Sequence, residues 1–527
     1  MSVVTDRLIK DITRERHFHF RLFLEGLLIG ACSGIVIAVF RYLLSASEDF
    51  RPYIYNIVAN DFLSGSYGIT ILYISVFIVL AWLLLWIVRN EPMCTGSGIP
   101  QIKGILMGKM SMNWASVLFS KLVGGVLAIG AGLSLGREGP SVQMGACVGQ
   151  GISRSIIRTR YEERILITAG AGAGLAAAFN APLAGVIFSL EELHKGFSPV
   201  VLMATVTAAV AATTVTQLLF GIAPVFHIGE LELFPFSMYL ALIGLGLYIG
   251  VLGRIFNPSL LLAMDVYDRF RVKGIYKPLI PLALAACLGF VLPEILGGGN
   301  RLVDALSVNA YPLYFLCILF VGKFLFTAIC FGSGVPGGIF LPMLVLGAAG
   351  GSIFSNLLVS FELMPAMYAG DIIVFAMAAY FAAVVKSPVT GSVLIMEMTG
   401  SFEHLLPLIC VSMTAYMTAD LTGGKPVYEE LLNRSLNKAD GSQDHHLGRR
   451  ITLEVLVESG SPADKSRIMD VDWPVDTVIV NIKRNSQRIV PRDNIQLLAG
   501  DYIYVLINEM EIVSVRKLVE GAVLPKR

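Results

Sequence analysis

The stretch Gly136-Arg137-Glu138-Gly139-Pro140 lies between two apolar runs, yet it carries an arginine, a glutamate and a proline at membrane depth. A charged side chain at the bilayer centre costs about 2.5–3.5 kcal/mol on insertion scales, so such residues turn inward and are tied to function. Gly136 ends one element, and Pro140 suits the first turn of the next helix, where no amide donor is needed. Free backbone N–H groups near residues 137–139 would then face a cavity with the positive end of a helix dipole behind them. That is an arrangement for holding an anion. A Pro-kinked helix with a snorkelling Arg-Glu pair is the plainer alternative. Gly96-Ser97-Gly98-Ile99-Pro100 has related chemistry: two glycines allow close approach, and Ser97 can donate a hydroxyl. Taken by itself it reads equally as a Gly-rich loop with a helix cap.

The elements that must position these stretches are membrane helices. Of 527 residues, 55% are hydrophobic and 15% charged, and mean hydropathy is +0.71, values that require bilayer as the solvent for most of the chain. The formal net charge of +1 gives no reason to expect a nucleic-acid partner. No nucleophile–base pair or metal cluster stands out, which points away from an enzyme and from a cofactor. The seven cysteines are scattered without metal or redox spacing and read as small buried hydrophobes. Arg7, Lys10, Arg14, Arg16 and Arg21 precede the first apolar run. That run, 22–44, is too long for a signal peptide and predicts a cytoplasmic amphipathic segment leading into a retained membrane helix.

Apolar spans are predicted near 22–48, 68–89, 114–135, 141–157, 164–193 and 199–220, then near 236–262, 278–296, 311–331, 338–358, 371–400 and 404–421. Several are interrupted by Gly or Pro, which membrane proteins tolerate where the break lines a cavity or is buried in protein. Arg154, Arg158, Arg160 and Arg164 mark their loop as cytoplasmic. The two series are related. Lys121, Gly132, Gly136, Pro140, Gly145 and Gly149 recur as Lys323, Gly334, Gly338, Pro342, Gly347 and Gly351, all displaced by the spacing that separates Gly136 from Gly338. Pro182, Gly185 and Glu191 recur as Pro388, Gly391 and Glu397 at a slightly larger spacing. Internal symmetry with interrupted helices at matching places predicts a transporter whose site sits at the repeat interface. The matches alone leave open whether the halves are inverted or parallel. Gly338-Ile339-Phe340-Leu341-Pro342 becomes the uncharged counterpart of the opening stretch. Gly332-Ser333-Gly334-Val335-Pro336 echoes the Ser97 stretch but falls off the common spacing and reads as a loop.

Beyond Pro426 the apolar runs stop. Short alternating strands are predicted at Leu453–Val457, Val478–Ile482 and Tyr502–Ile507, with turn signals at Ser459-Gly460 and Gly500-Asp501 and a closing helix near 512–519. The organisation expected is therefore a transmembrane domain over 1–433, a linker over 434–450 and a small soluble α+β domain over 451–527.

These residues resemble the CLC family of chloride channels and proton-coupled chloride exchangers, over roughly residues 20–435. The likeness rests on GSGIP at 96–100, GREGP at 136–140, GIFLP at 338–342 and the GGKPVY run ending at Tyr428. It implies an all-α polytopic membrane protein built from two inverted repeats with broken helices, assembled as a homodimer with one pore per subunit. It also implies chloride contacts at the hydroxyls of Ser97 and Tyr428 and the amides of Ile339 and Phe340. An outer site falls on amides around Arg137–Gly139, with the Glu138 carboxylate as external gate. Burial favours the neutral acid and the helix dipoles favour the carboxylate, so Glu138 stands poised to exchange places with chloride. Serine at position 97, where nitrate-preferring relatives tend to carry proline, implies chloride. Glu192, followed by His194 and Lys195, aligns with the family's internal proton-transfer glutamate; by position alone it reads as a solvated carboxylate at a helix end.

In the last domain, Ile482-Lys483-Arg484, Ile489-Val490-Pro491 and Gly500-Asp501 resemble the RCK C-terminal (TrkA-C) domain of bacterial ion-transport regulators. The likeness implies a dimerising sensor that can take cyclic di-AMP. Arg484 and Arg488 have the charge and position of phosphate partners, beside the plainer reading of solvated strand-surface arginines. The protein expected is a proton-coupled chloride exchanger of the bacterial plasma membrane with both its N-terminus and its C-terminal domain cytoplasmic. A passive voltage- or ligand-gated chloride channel, or a signalling element led by its sensor, are the alternatives.

Overall fold

The computed structural model describes the chain except residues 1, 223, 227–232, 271–273, 309–310, 440–449, 472, 474–477, 485–486 and 509–527. It divides into two compact units, Met1–Leu436 and Asn437–Arg527.

The first unit is helical. Its first half comprises α1 (Ser2–Ser64), α2 (Gly68–Asn90), α3 (Ile99–Leu106), α4 (Trp114–Gly130), α5 (Glu138–Ser155), α6 (Arg160–Phe179), α7 (Pro182–Phe188) and α8 (Pro199–Phe220). The second comprises α9 (Tyr239–Arg269), α10 (Tyr276–Val291), α11 (Asn300–Val308), α12 (Leu313–Gly332), α13 (Phe340–Ser360), α14 (Ala369–Val385), α15 (Pro388–Thr399), α16 (Leu405–Leu421) and α17 (Val427–Ala439). Among the described residues, eight helices are long and apolar enough to cross a membrane. The fold is thus an all-α, multi-pass membrane architecture with broken helices.

The structure refines the predicted spans. The amphipathic segment and first span merge into the single helix α1, which continues past Pro52. The run 164–193 breaks at Asn180 and the run 371–400 at Lys386. Both residues end their helices in the left-handed conformation, at φ 59° and 69°, and a proline opens the next helix two residues later. Proline at the first helical position has no amide to waste, which is why the break recurs at the same place. The expected linker over 434–450 begins inside α17, which runs to Ala439.

The recurring residues meet one another. Gly136 N donates to Gly338 O at 2.6 Å and Gly338 N to Gly136 O at 2.8 Å, an antiparallel bridge between matched positions. The Glu191 carboxylate accepts from the amides of Val389 (3.3 Å) and Thr390 (2.7 Å) at the start of α15. Glu397 accepts from Leu183 (3.1 Å) and Ala184 (2.8 Å) at the start of α7. Each half therefore caps a helix of the other, as a local two-fold axis requires, and carboxylates suit helix N-termini. Buried Lys121 donates to the carbonyls of Cys94 (2.9 Å) and Gly96 (2.6 Å), while buried Lys323 donates to those of Ile295 (3.0 Å) and Gly297 (2.7 Å). These bonds give the Ser97 loop a second-half partner that the sequence reading did not name, Gly297-Gly298-Gly299 before α11; the stretch from Ser333 to Pro336 is the loop expected, with Pro336 bridging to Gly96.

Small residues let paired helices touch at the backbone. A Cβ on Gly145 would collide with the Gly170 carbonyl, and one on Gly149 with that of Leu166, so α5 lies flush on α6. Gly347 and Gly351 do the same for α13 on α14, where added carbons would meet Ala376 O at 2.7 Å and Ala376 Cβ at 2.6 Å.

In the second unit a four-stranded antiparallel sheet has the order β1 (Arg450–Leu456), β4 (Tyr502–Asn508), β2 (Val478–Arg484), β3 (Gln487–Ile489). The three predicted strands are present and β3 is additional, too short to carry an alternating pattern. Val455, Ile482, Ile503 and Val505 form its core. The predicted helix at 512–519 lies outside the described residues.

Gly145→Val should lower the thermal midpoint of the detergent-solubilised protein by an amount corresponding to about 1–3 kcal/mol of overpacking, or abolish folding. Gly68→Val, where an added carbon meets nothing within 4 Å, should leave it nearly unchanged. Equal midpoints would refute the close packing of α5 on α6.

Candidate functional site

Four helix starts converge on the Ser97 loop. Gly98 precedes α3 with φ 92°, a left-handed turn open to glycine, and a side chain there would strike Gln143. Glu138 is the first residue of α5, Phe340 the first of α13, and Tyr428 lies in the first turn of α17. The leading amides of each helix have no intrahelical acceptor, so each brings free donors and a partial positive charge.

Ser97 and Tyr428 are buried, at 2% and 0% exposure, and their hydroxyls have no hydrogen-bond partner among the described residues beyond each other. The Tyr428 hydroxyl faces that of Ser97 and feels the Glu138 and Glu192 carboxylates. Gly139 packs so close to Ser97 that a Cβ would collide with Oγ. The Phe340 ring is wedged between Phe179 and Phe381, with centroids 5.4 and 4.7 Å away, which fixes the start of α13 while Ile339 and Phe340 leave their amides at its open end.

Glu138 is fully buried. Its Oε2 accepts from Leu341 N at 3.3 Å, so the carboxylate of one half sits against the helix N-terminus of the other. Its Oε1 has no hydrogen-bond partner, and the Arg137 Nε, also unpartnered, is 4.0 Å away. The site can therefore hold a negative charge in either of two forms, a fixed carboxylate or a mobile anion offered to the same donors.

Glu192 approaches from the other side. It lies in a π-helical turn, Ser189–His194, which follows α7 and brings Glu192 inside while Glu191 faces α15. At 3% exposure, its Oε1 accepts from Lys103 Nζ at 2.6 Å and its Oε2 from Ser387 Oγ at 3.0 Å. This replaces the picture of a solvated carboxylate at a helix end. A cavity of about 510 Å³ reaches Glu192 past Glu191, Lys195 and Lys386. Lys195 also pairs with Glu429, next to Tyr428.

Sequence reasoning missed Lys103 and Ser387. The signal for Lys103 was a lysine inside the apolar helix that follows Gly96-Ser97-Gly98, the same logic applied to Glu138.

In the second unit, Arg484 Nε and Nη2 clasp the buried Asp501 carboxylate at 2.8 and 2.7 Å, and Nη2 also reaches Gln496 O at 2.7 Å. The bond to Asp501 raises the proton affinity of the guanidinium further. The fork is thereby committed to closing the Leu498–Asp501 turn, and a phosphate would have to compete with Asp501 for it. Arg488 stands on β3, and its side chain lies outside the described residues.

Residues 76–420 match the family profile described as voltage gated chloride channel, and residues 452–519 match that of the TrkA-C domain. A Vibrio cholerae protein named H(+)/Cl(-) exchange transporter ClcA is 36% identical over 452 residues, covering 82% of this chain and 93% of the relative. A protein of the same name from Citrobacter koseri is 33% identical over 83% of this chain and 93% of its own length. Among solved structures, a slow cyanobacterial Cl-/H+ antiporter superposes with a TM-score of 0.72 at 31% identity, covering 80% of this chain and 99% of that one. A eukaryotic CLC transporter, 23% identical with a TM-score of 0.66 over 79% of this chain and 74% of that one, shares the fold. The chain belongs to the voltage gated chloride channel (CLC) family, with a TrkA-C domain following its membrane unit.

Proposed function

We propose that this protein exchanges chloride for protons across a cell membrane. The observation that carries the reading is the pair of buried hydroxyls of Ser97 and Tyr428, facing only each other, between two buried carboxylates, Glu138 and Glu192. The relatives named as exchangers support it.

In this reading the central chloride is held by Ser97 Oγ, Tyr428 Oη and the amides of Ile339 and Phe340. An outer position is offered by the amides around Arg137 and Gly139. Glu138 is the external gate. As a carboxylate it takes the donor field of α13, consistent with its bond from Leu341 N. Once protonated, it loses the charge that helix ends favour, swings away and leaves the position to chloride. The Glu138 carboxylate and chloride thus displace each other at one place, and protonation of Glu138 decides between them, which couples their movements. Glu192, reached by the cavity beside Lys195, passes the proton to and from the cytoplasm. No cofactor is needed for this cycle. Glu191 is held instead at the start of α15 by two amides and the Thr390 hydroxyl.

The assembly proposed is a homodimer with one pore per subunit in a bacterial plasma membrane, both termini cytoplasmic, as the Arg154–Arg164 cluster suggests. The TrkA-C domain is proposed to regulate transport by binding a two-fold symmetric ligand such as cyclic di-AMP, with Arg484 and Arg488 as its phosphate partners, Arg484 only where the phosphate displaces Asp501. A ligand can shift the pore only through different affinities for the domain's alternative arrangements.

Reconstituted Glu138→Gln should carry chloride with proton movement reduced to background, because the hydroxyls and amides remain. A mutant that still moves protons uphill on a chloride gradient would overturn the assigned gate. Ser97→Pro removes a hydroxyl donor and an amide; the nitrate-to-chloride permeability ratio should rise about tenfold, equivalent to ~1.4 kcal/mol. An unchanged ratio would remove Ser97 from selectivity. Calorimetry on the full-length protein should give micromolar or tighter cyclic di-AMP binding, on the order of −8 kcal/mol. Absence of heat would dismiss that ligand, and transport unaltered by deleting residues 451–527 would dismiss regulation by the domain.

A further inference from the structure

Lys103 has its ammonium wholly inside the membrane unit, with its side chain 0% exposed, and it meets Glu192 at 2.6 Å. Buried ammonium and carboxylate groups stay charged only when paired, and removing one partner leaves the other uncompensated. The pair is also mechanically placed. Lys103 rides on α3, the helix whose N-terminal loop holds Ser97, and about 6 Å of helix axis separates Ile99 from Lys103. Glu192 also receives Ser387 Oγ at 3.0 Å. The charged or titratable groups around the pair are Lys195, Tyr428 and, across the cavity, Glu191 and Lys386. Glu191 is bonded to the start of α15, and Lys386 is drawn to Asp420 at 3.3 Å. Lys103 is therefore the cation in direct contact with Glu192 among the described residues.

We propose that Lys103 is the positioning residue for proton transfer at Glu192, holding it as an aimed carboxylate, and that it links the proton to chloride through α3. This rests on the exchange reading above. When Glu192 takes up a proton, Lys103 becomes an uncompensated cation on the helix whose other end borders the anion site. Chloride beside Ser97 is then the mobile charge that compensates it. When chloride leaves, the cation is satisfied by Glu192 as a carboxylate, and the proton goes. Occupancy of the two ions is thereby linked, and the linkage is reciprocal.

The test uses full-length protein in liposomes, with reversal potential read under opposed chloride and pH gradients and chloride turnover read in parallel. Wild type should show coupling; a reversal potential indifferent to pH would overturn the exchange reading itself, and this inference with it. In Lys103→Met the proton flux per chloride should fall about tenfold or more, and Lys103→Arg should restore most of the coupling. With wild type coupled, full coupling in Lys103→Met, or equal loss in Lys103→Arg, would overturn this inference alone. Should Lys103→Met not fold, Glu192→Gln and Glu192→Gln/Lys103→Met avoid a lone buried carboxylate. Chloride calorimetry should then show about tenfold tighter binding with Lys103 present. Equal chloride affinity in those two variants would overturn the link to Ser97.

Discussion

Two backbone hydrogen bonds exchanged by Gly136 and Gly338 are the constraint on which the rest of the membrane unit depends. Irregular backbone at membrane depth must satisfy its own polar groups, because hydrocarbon offers none. Here each break satisfies the other. The contact admits no side chain: a Cβ on Gly338 would meet Gly139 N at 3.1 Å, and one on Gly136 would collide with the Glu138 carboxylate. The bridge sets the first turns of α5 and α13 against each other, and only in that arrangement can Glu138 reach Leu341 N. The placement of Glu138 is thus a consequence of how the two broken helices repair one another.

Around that bridge, buried charges act as structural fasteners. Lys121 and Lys323 each gather two carbonyls that end a short turn, and Glu191 and Glu397 each gather two amides that begin a helix. A lysine or glutamate does this better than a neutral group, since a charge-assisted hydrogen bond is shorter and roughly twice as strong. The symmetry also explains why both members of each pair persist in the chain: each caps the opposite half or its own matching loop, so losing one leaves orphaned backbone groups that cost about 1–3 kcal/mol each.

Much of this was legible in the sequence because it is written in residue types whose reasons are local. Gly, Pro and an intramembrane Glu announce a break and a helix start without any partner being known, so the stretches at Ser97, Glu138 and Phe340 could be located and the two halves matched. Partnership was not legible. Nothing local says that Glu191 caps α15 while its neighbour Glu192 turns inward to Lys103; that choice is made by a π-helical turn whose pattern of side chains is not distinct from an α-helix over six residues. The Gly297–Gly299 loop was hidden for a related reason. Its function in the fold is carried by backbone carbonyls meeting Lys323, and carbonyls leave no trace in residue identity. In the second unit, Arg484 read as a surface cation because its partner Asp501 lies across the sheet rather than next in the chain.

The distinction between scaffold and site follows from how completely each buried polar group is satisfied. Lys121, Lys323, Glu191 and Glu397 are matched by backbone groups of opposite sign, and nothing mobile is needed to complete them. Ser97 Oγ and Tyr428 Oη face only each other, and Glu138 Oε1 and Arg137 Nε, 4.0 Å apart, make no hydrogen bond. Unpaired hydroxyls also occur elsewhere, among them Ser33 in α1, Thr213 in α8, Ser352 in α13, Tyr380 in α14 and Ser412 in α16, but those lie inside helices rather than at a convergence of helix starts. At the Ser97 loop the unpaired groups coincide with the open ends of α3, α5, α13 and α17. Donors and dipoles of one sign gathered around one buried carboxylate leave a place that the carboxylate or an anion could fill, and in the exchange proposed above, alternation between those two occupants is the elementary step.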